Sequence, residues 1–220
     1  LFGLIGLCLF VGLYAKQYFN KKNHRSDYTT IKAKQPQDFE ELKTGDIIFQ
    51  ISLSEQSQAV QIATRSKYSH CGIIFIENGI INVFEANKYV TKTPIEKWIS
   101  KGKEKHYVIK RLKNADQLLS NQMLQKMKQE GLKYYGKRYD GKFEWSDNKI
   151  YCSELVWKIY QRTTGLEIGK LEKLSDFNLS HKSVKDIVKN RYQNKIPINE
   201  TVISPASIFN SELLMTVKSN

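Results

Sequence analysis

Cys152, His70 and Glu85 are the residues of this sequence whose types could perform covalent chemistry together. A cysteine acts as a nucleophile in its thiolate form, and a histidine beside it can take the thiol proton at neutral pH. A carboxylate next to the imidazole holds it in one tautomer and stabilises the imidazolium. Such a set catalyses acyl transfer, but only in a fold that brings these distant positions together.

A predicted β-hairpin places His70 and Glu85 on one face of a sheet. The segment SHCGIIFIENGIINVFEA carries two apolar runs around Asn78 and Gly79, the preferred pair for a two-residue turn. Side chains alternate along each strand, so His70 and Glu85 become diagonal neighbours about 7 Å apart. From the hairpin alone, an ordinary structural ion pair is an equally good interpretation.

Cys152 stands where a predicted helix begins. Apolar residues recur with helical period after it, and Gly165 fits the C-terminal stop. The dipole and free N–H groups of a helix N-terminus stabilise a thiolate, and the same N–H groups can hold a developing oxyanion. A buried cysteine without chemistry is the alternative, because buried cysteines are common. The coincidence with His70 and Glu85 favours a nucleophile, and no other catalytic motif competes.

The remaining cysteines and histidines predict neither a disulfide framework nor a metal site. Three cysteines are an odd and sparse set. Cys8 lies in an apolar run, and Cys71 points to the hairpin face opposite His70, so we expect it in the core. The four histidines are far apart, without zinc spacing. We therefore expect no metal and no cofactor.

The charge is strongly basic, with 35 Lys and Arg against 22 Asp and Glu and a formal net charge of +13. Such a surface attracts nucleic acid, anionic lipid headgroups and anionic wall polymers alike. The chain carries no zinc-finger spacing, no ribonucleoprotein-type aromatic motif and no basic heptad helix. We expect no specific nucleic-acid binding, and the oligomeric state stays open.

Residues 1–16 form the first of three predicted regions, an apolar signal or membrane-anchor segment. The stretch from Leu1 to Ala15 has no charge, and 15 residues are fewer than the roughly 20 of a full span. A signal peptide, an uncleaved anchor with the domain in the cytoplasm, and a buried helix are the alternatives. The buried helix is disfavoured because the stretch is apolar on every face. We expect a membrane-associated or exported protein, with a polar tether at 17–37 and a catalytic domain at 38–220.

Strands and helices mix without regular βαβ alternation, which predicts an α+β fold. Residues after Leu166 are expected to be irregular until a last short helix near Pro205. Asp116 is expected to cap the helix that follows it. The other predicted elements are strands at 47–51 and 107–112, a helix that Ser54 caps and that runs through Thr64, and a helix at 93–99.

The chain resembles the YiiX/YaeF-like group, circularly permuted papain-like amidases of the NlpC superfamily that are related to lecithin-retinol acyltransferases. The resemblance runs from about residue 38 to 214. It rests on the order of LKTGDIIF (42–49), ATRSKYSHCGIIF (63–75), FEA (84–86), GKRYDGKFEW and IYCSELVWKIY (within 136–160) and VISPASIF (202–209). Each segment alone is a weak signal, whereas the combined order is specific.

The resemblance implies a papain-like core, an antiparallel sheet packed against helices, in which the His and Glu strands precede the Cys helix. It assigns the nucleophile to Cys152, the base to His70 and the orienting residue to Glu85, in agreement with the hairpin register. Four further residues are expected at the cleft as substrate or oxyanion contacts: Tyr151, Ser69, Thr64 and Tyr139. A turn or packing role is the alternative for each of them.

The reaction implied is thiol-dependent hydrolysis of an amide or peptide bond, with cell-wall peptides as the substrate expected by analogy. One alternative is lipid or acyl-chain transfer of the lecithin-retinol acyltransferase type, which a membrane anchor and a basic surface would suit. Another is a non-catalytic envelope-binding domain. An intact set of Cys152, His70 and Glu85 argues against the latter.

Overall fold

A computed structural model describes residues 37–193 and 195–220. The predicted segment 1–16 and the tether up to residue 36 lie outside the described residues. Within the described residues, no helix has both the length and the apolar character needed to span a bilayer.

A six-stranded antiparallel sheet organises the fold, in the order β4-β3-β2-β1-β5-β8. Its strands are β1 (Ile47–Ser52), β2 (His70–Glu77), β3 (Ile80–Ala86), β4 (Val90–Pro94), β5 (Gly102–Leu112) and β8 (Leu214–Ser219). A separate small sheet pairs β6 (Glu172–Lys173) with β7 (Thr201–Val202).

Helices cover both faces of the sheet. They are α1 (Ser57–Thr64), α2 (Ile95–Ser100), α3 (Ala115–Leu118), α4 (Asn121–Leu132), α5 (Cys152–Thr164), α6 (Lys182–Tyr192) and α7 (Pro205–Phe209), with 3₁₀ turns at Gln37–Phe39 and Leu174–Asp176. Because helices cover both faces of the sheet, the first four residues of β1, 47–50, are buried on either side of it. Ile47 and Phe49 belong to the core on the α5 side, and Ile48 packs with Trp98 of α2 on the other. The predicted α+β class is confirmed.

The hairpin predicted around Asn78 and Gly79 is confirmed. Glu77 pairs with Ile80, and the ladder continues to Ile73 opposite Phe84. Both turn residues have positive φ, 52° and 77°, as the two-residue turn that matches strand twist requires.

The helix predicted from Cys152 is also confirmed. Tyr151 is its N-cap, and Gly165 ends it in the left-handed conformation with φ 76°. The Glu154 carboxylate accepts the backbone N–H of Tyr151 at 3.4 Å, so an acidic group stabilises the first turn. The sequence around Cys152 therefore produces a helix whose first residue is the cysteine.

Two predicted helix starts were wrong. Helix α1 begins at Ser57 with Gln56 as its N-cap, instead of beginning at Ser54. Asp116 lies inside the short α3, and Ser120 caps α4 by accepting the N–H of Met123 at 3.3 Å. The helix is interrupted between α3 and α4, and Ser120 in the interruption caps the second helix. The apolar pattern runs across the interruption, so the sequence predicted one long helix.

The expectations for 93–99 and for the residues after Leu166 were partly wrong. Strand β4 runs to Pro94 before α2 starts, because a proline without an N–H can begin a helix but cannot continue a ladder. Helix α6 packs Val184 and Val188, one turn apart, against Ala59 of α1. Strand β8 completes the sheet along β5. The short helix near Pro205 is α7, capped by Ser204.

Candidate active site

Glu85 is the buried centre of a hydrogen-bond cluster on β3, with 1% of its surface exposed. Its Oε2 accepts from His70 Nε2 at 2.6 Å and from Trp98 Nε1 at 3.0 Å. Its Oε1 accepts from the Thr93 hydroxyl at 2.6 Å. The Trp98 ring also stacks on His70 with 5.7 Å between centroids. The bond to Glu85 occupies Nε2 of His70 and leaves Nδ1 to face the thiol.

Cys152 is the first residue of α5 and lies beside His70 and Cys71. A hydrogen bond from the Cys71 thiol is the largest influence that holds the pKa of Cys152 well below its usual range, and the charge and hydrogen bond of His70 add to it. Burial opposes this shift. Burial is the main cause that raises the pKa of Cys71, so that thiol stays protonated and can donate.

The imidazole of His70 shows the complementary shift. Burial, the largest single influence, disfavours the imidazolium, but the charges and hydrogen bonds of Cys152 and Glu85 outweigh it. They raise the pKa of His70 to about 10. Burial raises the pKa of Glu85, but His70, Thr93 and Lys101 outweigh it and leave that pKa below its usual value. At neutral pH these shifts favour a thiolate, an imidazolium and a carboxylate, a charge arrangement suited to thiol chemistry.

A second buried ion pair stabilises the start of α5. Glu154 Oε1 lies 2.7 Å from Lys158 Nζ, and both side chains are almost completely buried. The lysine also donates to Asp147 Oδ1 at 2.9 Å and to the Ser146 carbonyl at 2.8 Å. Burial raises the pKa of Glu154 to about 7 despite the lysine. This network ties the first turn of α5 to the preceding loop.

Cys152 opens into a cleft under helix α6. Apolar side chains dominate its lining, and Arg191 is the only Lys, Arg, Asp or Glu among the described residues that line it. The lining is formed by Gln56, Ala59, Val60, Ala63, Thr64, Ser69, Tyr139, Phe143, Tyr151, Cys152, Ser153, Leu174, Phe177, Leu179, Val184, Ile187, Val188, Arg191, Tyr192, Val202, Ile203, Ser204 and Pro205.

The four residues predicted at the cleft all line it, but their hydroxyl groups differ in availability. The Thr64 hydroxyl donates to the Val60 carbonyl within α1. The Ser69 hydroxyl accepts the Ser52 N–H at 2.9 Å and bonds to the Ser57 hydroxyl. The Ser69 hydroxyl thus holds α1 beside β1, whereas the Thr64 hydroxyl is engaged within α1 itself.

The two tyrosines face different partners. The Tyr151 hydroxyl accepts the N–H of Ile203 at 3.0 Å and so connects the N-cap of α5 to the chain before α7. The Tyr139 hydroxyl accepts from Gln56 Nε2 at 2.8 Å. Both tyrosines line the cleft together with Cys152, which contributes to the raised pKa of each phenol.

Several residues of this site were not predicted. Cys71 was expected only as core; it is fully buried, but it also lies beside Cys152 and helps to lower the pKa of that residue. Trp98 and Thr93 donate to Glu85. Gln56, the N-cap of α1, donates to Tyr139, and Arg191 of α6 donates to Gln56. Tertiary packing brings all of these together, and only adjacency to His70 could have drawn attention to Cys71.

No group of three or more His, Cys, Asp or Glu side chains is placed to hold a metal ion within residues 37–193 and 195–220.

Comparison with known proteins identifies a family. Residues 41–218 match the family described as permuted papain-like amidase enzyme, YaeF/YiiX, C92 family. The uncharacterized protein YiiX of Escherichia coli strain K12 is 46% identical over 175 residues, which cover 80% of this chain and 85% of YiiX.

A solved structure agrees. The crystal structure of the metalloprotein YiiX from Escherichia coli O157:H7 superposes with a TM-score of 0.77 at 45% identity, covering 81% of this chain and 97% of that one. The papain-like, permuted α+β fold is therefore established. The chain belongs to the family of permuted papain-like amidases, which are cysteine peptidases and amidases.

Proposed function

We propose that the chain hydrolyses amide bonds through an acyl-enzyme on Cys152, with His70 as the base and Glu85 as the residue that orients it. One observation carries the proposal. Cys152 begins α5 beside His70, whose Nε2 donates to the buried Glu85 carboxylate at 2.6 Å. A thiolate at a helix N-terminus paired with an imidazolium is the arrangement that thiol-dependent acyl transfer needs.

The first half-reaction forms the thioester. The Cys152 thiolate attacks the carbonyl carbon, and the oxygen becomes an oxyanion that accepts the free N–H of Cys152 and the Tyr139 hydroxyl. The His70 imidazolium gives its proton to the leaving amine as the C–N bond breaks.

The second half-reaction releases the acyl group. His70, now neutral, takes a proton from water, and the resulting hydroxide attacks the thioester carbonyl. The C–S bond breaks, and the carboxylic acid leaves. Cys152 returns as a thiolate beside the protonated imidazole, so the thiolate and imidazolium pair is regenerated.

Two acyl groups are candidates for the cleft. A peptide amide, including a cell-wall peptide, follows from the amidase family. A lipid or acyl chain is the second candidate, with water or an amine or lipid as acceptor. The apolar lining around Cys152 favours it, because burying methylene groups there contributes about 0.8 kcal/mol each. A non-catalytic envelope-binding role is disfavoured by the low pKa of Cys152, which binding alone does not need.

We propose membrane association through residues 1–16.

The test is a substrate screen with wild type, Cys152→Ala and His70→Ala. Wall-type peptides and lipid esters are incubated in water and with an added amine, and the products are resolved by mass spectrometry. We expect turnover by wild type and loss in both variants, because the pair acts as a unit. Free acid identifies a hydrolase, and an acylated amine identifies a transferase.

Two further measurements decide whether the thiol is the catalyst. A thiol-reactive acyl probe should label wild type but not Cys152→Ser, and equal labelling would refute the nucleophile assignment. Because YiiX is described as a metalloprotein, the assay is repeated with a chelator. Activity that the chelator abolishes and a divalent ion restores would overturn a mechanism carried by the thiol alone.

A further inference from the structure

A chain of hydrogen bonds runs from helix α6 into the cleft beside Cys152. Arg191 Nη2 donates to Gln56 Oε1 at 2.5 Å, and Gln56 Nε2 donates to the Tyr139 hydroxyl at 2.8 Å. The guanidinium also stacks over the Phe143 ring, 5.0 Å from its centroid. This series of hydrogen bonds therefore connects a cation on α6 to a phenol that lines the cleft together with Cys152.

The chemistry of Arg191 determines the direction of every bond in this chain. A guanidinium has only donors, so the oxygen of the Gln56 amide must face it and the NH₂ group must face Tyr139. The Tyr139 oxygen is then an acceptor toward Gln56, and its own hydrogen is left to donate elsewhere. Among the described residues, no protein acceptor takes that hydrogen.

The remaining direction for the Tyr139 hydrogen is the cleft, which Tyr139 lines together with Cys152. Burial is the main cause that raises the pKa of Tyr139, and the Cys152 thiolate adds to it, so the phenol stays protonated. The Arg191 guanidinium, at the far end of this series of hydrogen bonds, polarises each bond toward the phenol. It thereby strengthens the Tyr139 O–H as a donor.

We propose that Arg191, acting through Gln56, is a positioning residue that holds the Tyr139 hydroxyl as a donor to the oxyanion formed on attack by Cys152. This proposal rests on the proposed acyl transfer. It gives helix α6 a part in the reaction although that helix contributes no nucleophile, base or acid.

Gln56→Glu is the sharpest test, since the two side chains have the same shape. The new carboxylate keeps its bond to Arg191 but has no hydrogen to donate, so the Tyr139 hydroxyl must turn and donate to it. With p-nitrophenyl butyrate as the acyl probe, we expect kcat to fall about 10²- to 10³-fold, the loss typical for one oxyanion donor, with little change in KM. Tyr139→Phe should lower kcat by the same factor, and the double variant should lower kcat no further.

Two controls separate positioning from effects on the thiol or on folding. Alkylation of Cys152 by iodoacetamide forms no oxyanion, so its rate should stay within a few-fold of wild type in Gln56→Glu. Gln58→Glu adds the same charge at an exposed position of α1 and should leave both rates at the wild-type level. Arg191→Ala frees the amide to rotate and should lower kcat, whereas Arg191→Lys, which keeps a donor, should recover part of the loss.

The outcomes distinguish this proposal from the one on which it depends. If Gln56→Glu folds and turns over at the wild-type rate, the positioning role is overturned. The acyl-transfer proposal then stays in place. An equal fall in acyl transfer and alkylation also overturns it, because the variant would then act on the thiolate. Wild type without any Cys152-dependent turnover overturns both.

Discussion

Replacing Glu85 by glutamine removes one charge from the site while preserving its shape. The native Oε2 accepts from two N–H donors, His70 and Trp98, and Oε1 faces the hydroxyl of Thr93. An amide fits this pattern in one orientation: its oxygen takes the two N–H groups, and its NH₂ donates to the Thr93 oxygen. The Glu85→Gln amide oxygen, its nitrogen and the Thr93 oxygen each keep at least one partner, and only the former Thr93 O–H donation is reversed, so the variant should fold.

The size of the effect follows from the bond that is weakened. A hydrogen bond to a charged group contributes about 1.5–3 kcal/mol, against about 1 kcal/mol between neutral groups. The difference of roughly 0.5–2 kcal/mol corresponds to a fall of about one unit in the pKa of His70. His70 starts from about 10, so it stays mostly protonated at pH 7 in the variant. The amide oxygen still holds Nε2 in its protonated tautomer, and we expect only about a tenfold loss of kcat/KM at neutral pH.

The decisive assay is the pH profile. The alkaline limb of kcat/KM should move down by about one pH unit in Glu85→Gln, because the imidazolium is lost earlier as pH rises. Glu77→Gln is the matched control: that carboxylate lies at the other end of the hairpin, paired with Lys92, and its loss should leave the profile unchanged.

Two results would refute the reasoning. A folded Glu85→Gln with the wild-type rate and the wild-type alkaline limb would show that Glu85 does not orient His70. An alkaline limb that moved equally in Glu77→Gln would show that the shift reports general surface charge.

Three other predictions concern the thiolate and its support. In wild type, the rate of Cys152 alkylation should be nearly level from about pH 6 to 9. The alkylation rate of an ordinary thiol, with a pKa of about 8.5, rises nearly tenfold for each pH unit as long as the pH is below that pKa. Such a rise in wild type would exclude the ion pair of Cys152 and His70. Cys71→Ala removes the hydrogen bond from the neighbouring thiol, so the acid limb of kcat/KM should move to higher pH, and an unmoved limb would contradict that bond. Lys158→Met leaves the buried Glu154 without its cation and should destabilise the fold by about 3–5 kcal/mol at pH 8, measured by urea unfolding. The loss should be smaller at pH 5.5, where Glu154 is protonated, and equal losses at both values would argue against a charged Glu154.

Local patterns in the sequence predicted those parts of the site that short segments determine. Asn78 and Gly79 specify a turn of two residues, and the turn fixes the register that aligns Glu85 with His70. Cys152 was placed at a helix start because a periodic apolar run begins there and Gly165 ends it. Both inferences need only nearest-neighbour geometry.

The rest depends on packing between distant elements. Helix α6 was missed although Val184 and Val188 have helical spacing, because the helix is short and its other residues are mostly charged or polar. Without α6, nothing in the sequence connects Arg191 to Gln56, which lies 135 positions earlier. Trp98 likewise reaches Glu85 only because α2 packs on the outer face of the sheet.

Because the two sides of helix α6 differ in charge, we expect substrate capture and turnover to respond differently to salt. The side with Val184 and Val188 faces the cleft, while Lys182, Lys185 and Lys189 project into solvent. An anionic amphiphile approaching helix α6 would be attracted by these three lysines. At physiological ionic strength that attraction is largely screened beyond roughly 8 Å. Once inside, it lies against hydrocarbon that dissolved ions do not reach. Added salt should therefore raise KM for such a compound and leave kcat where it was.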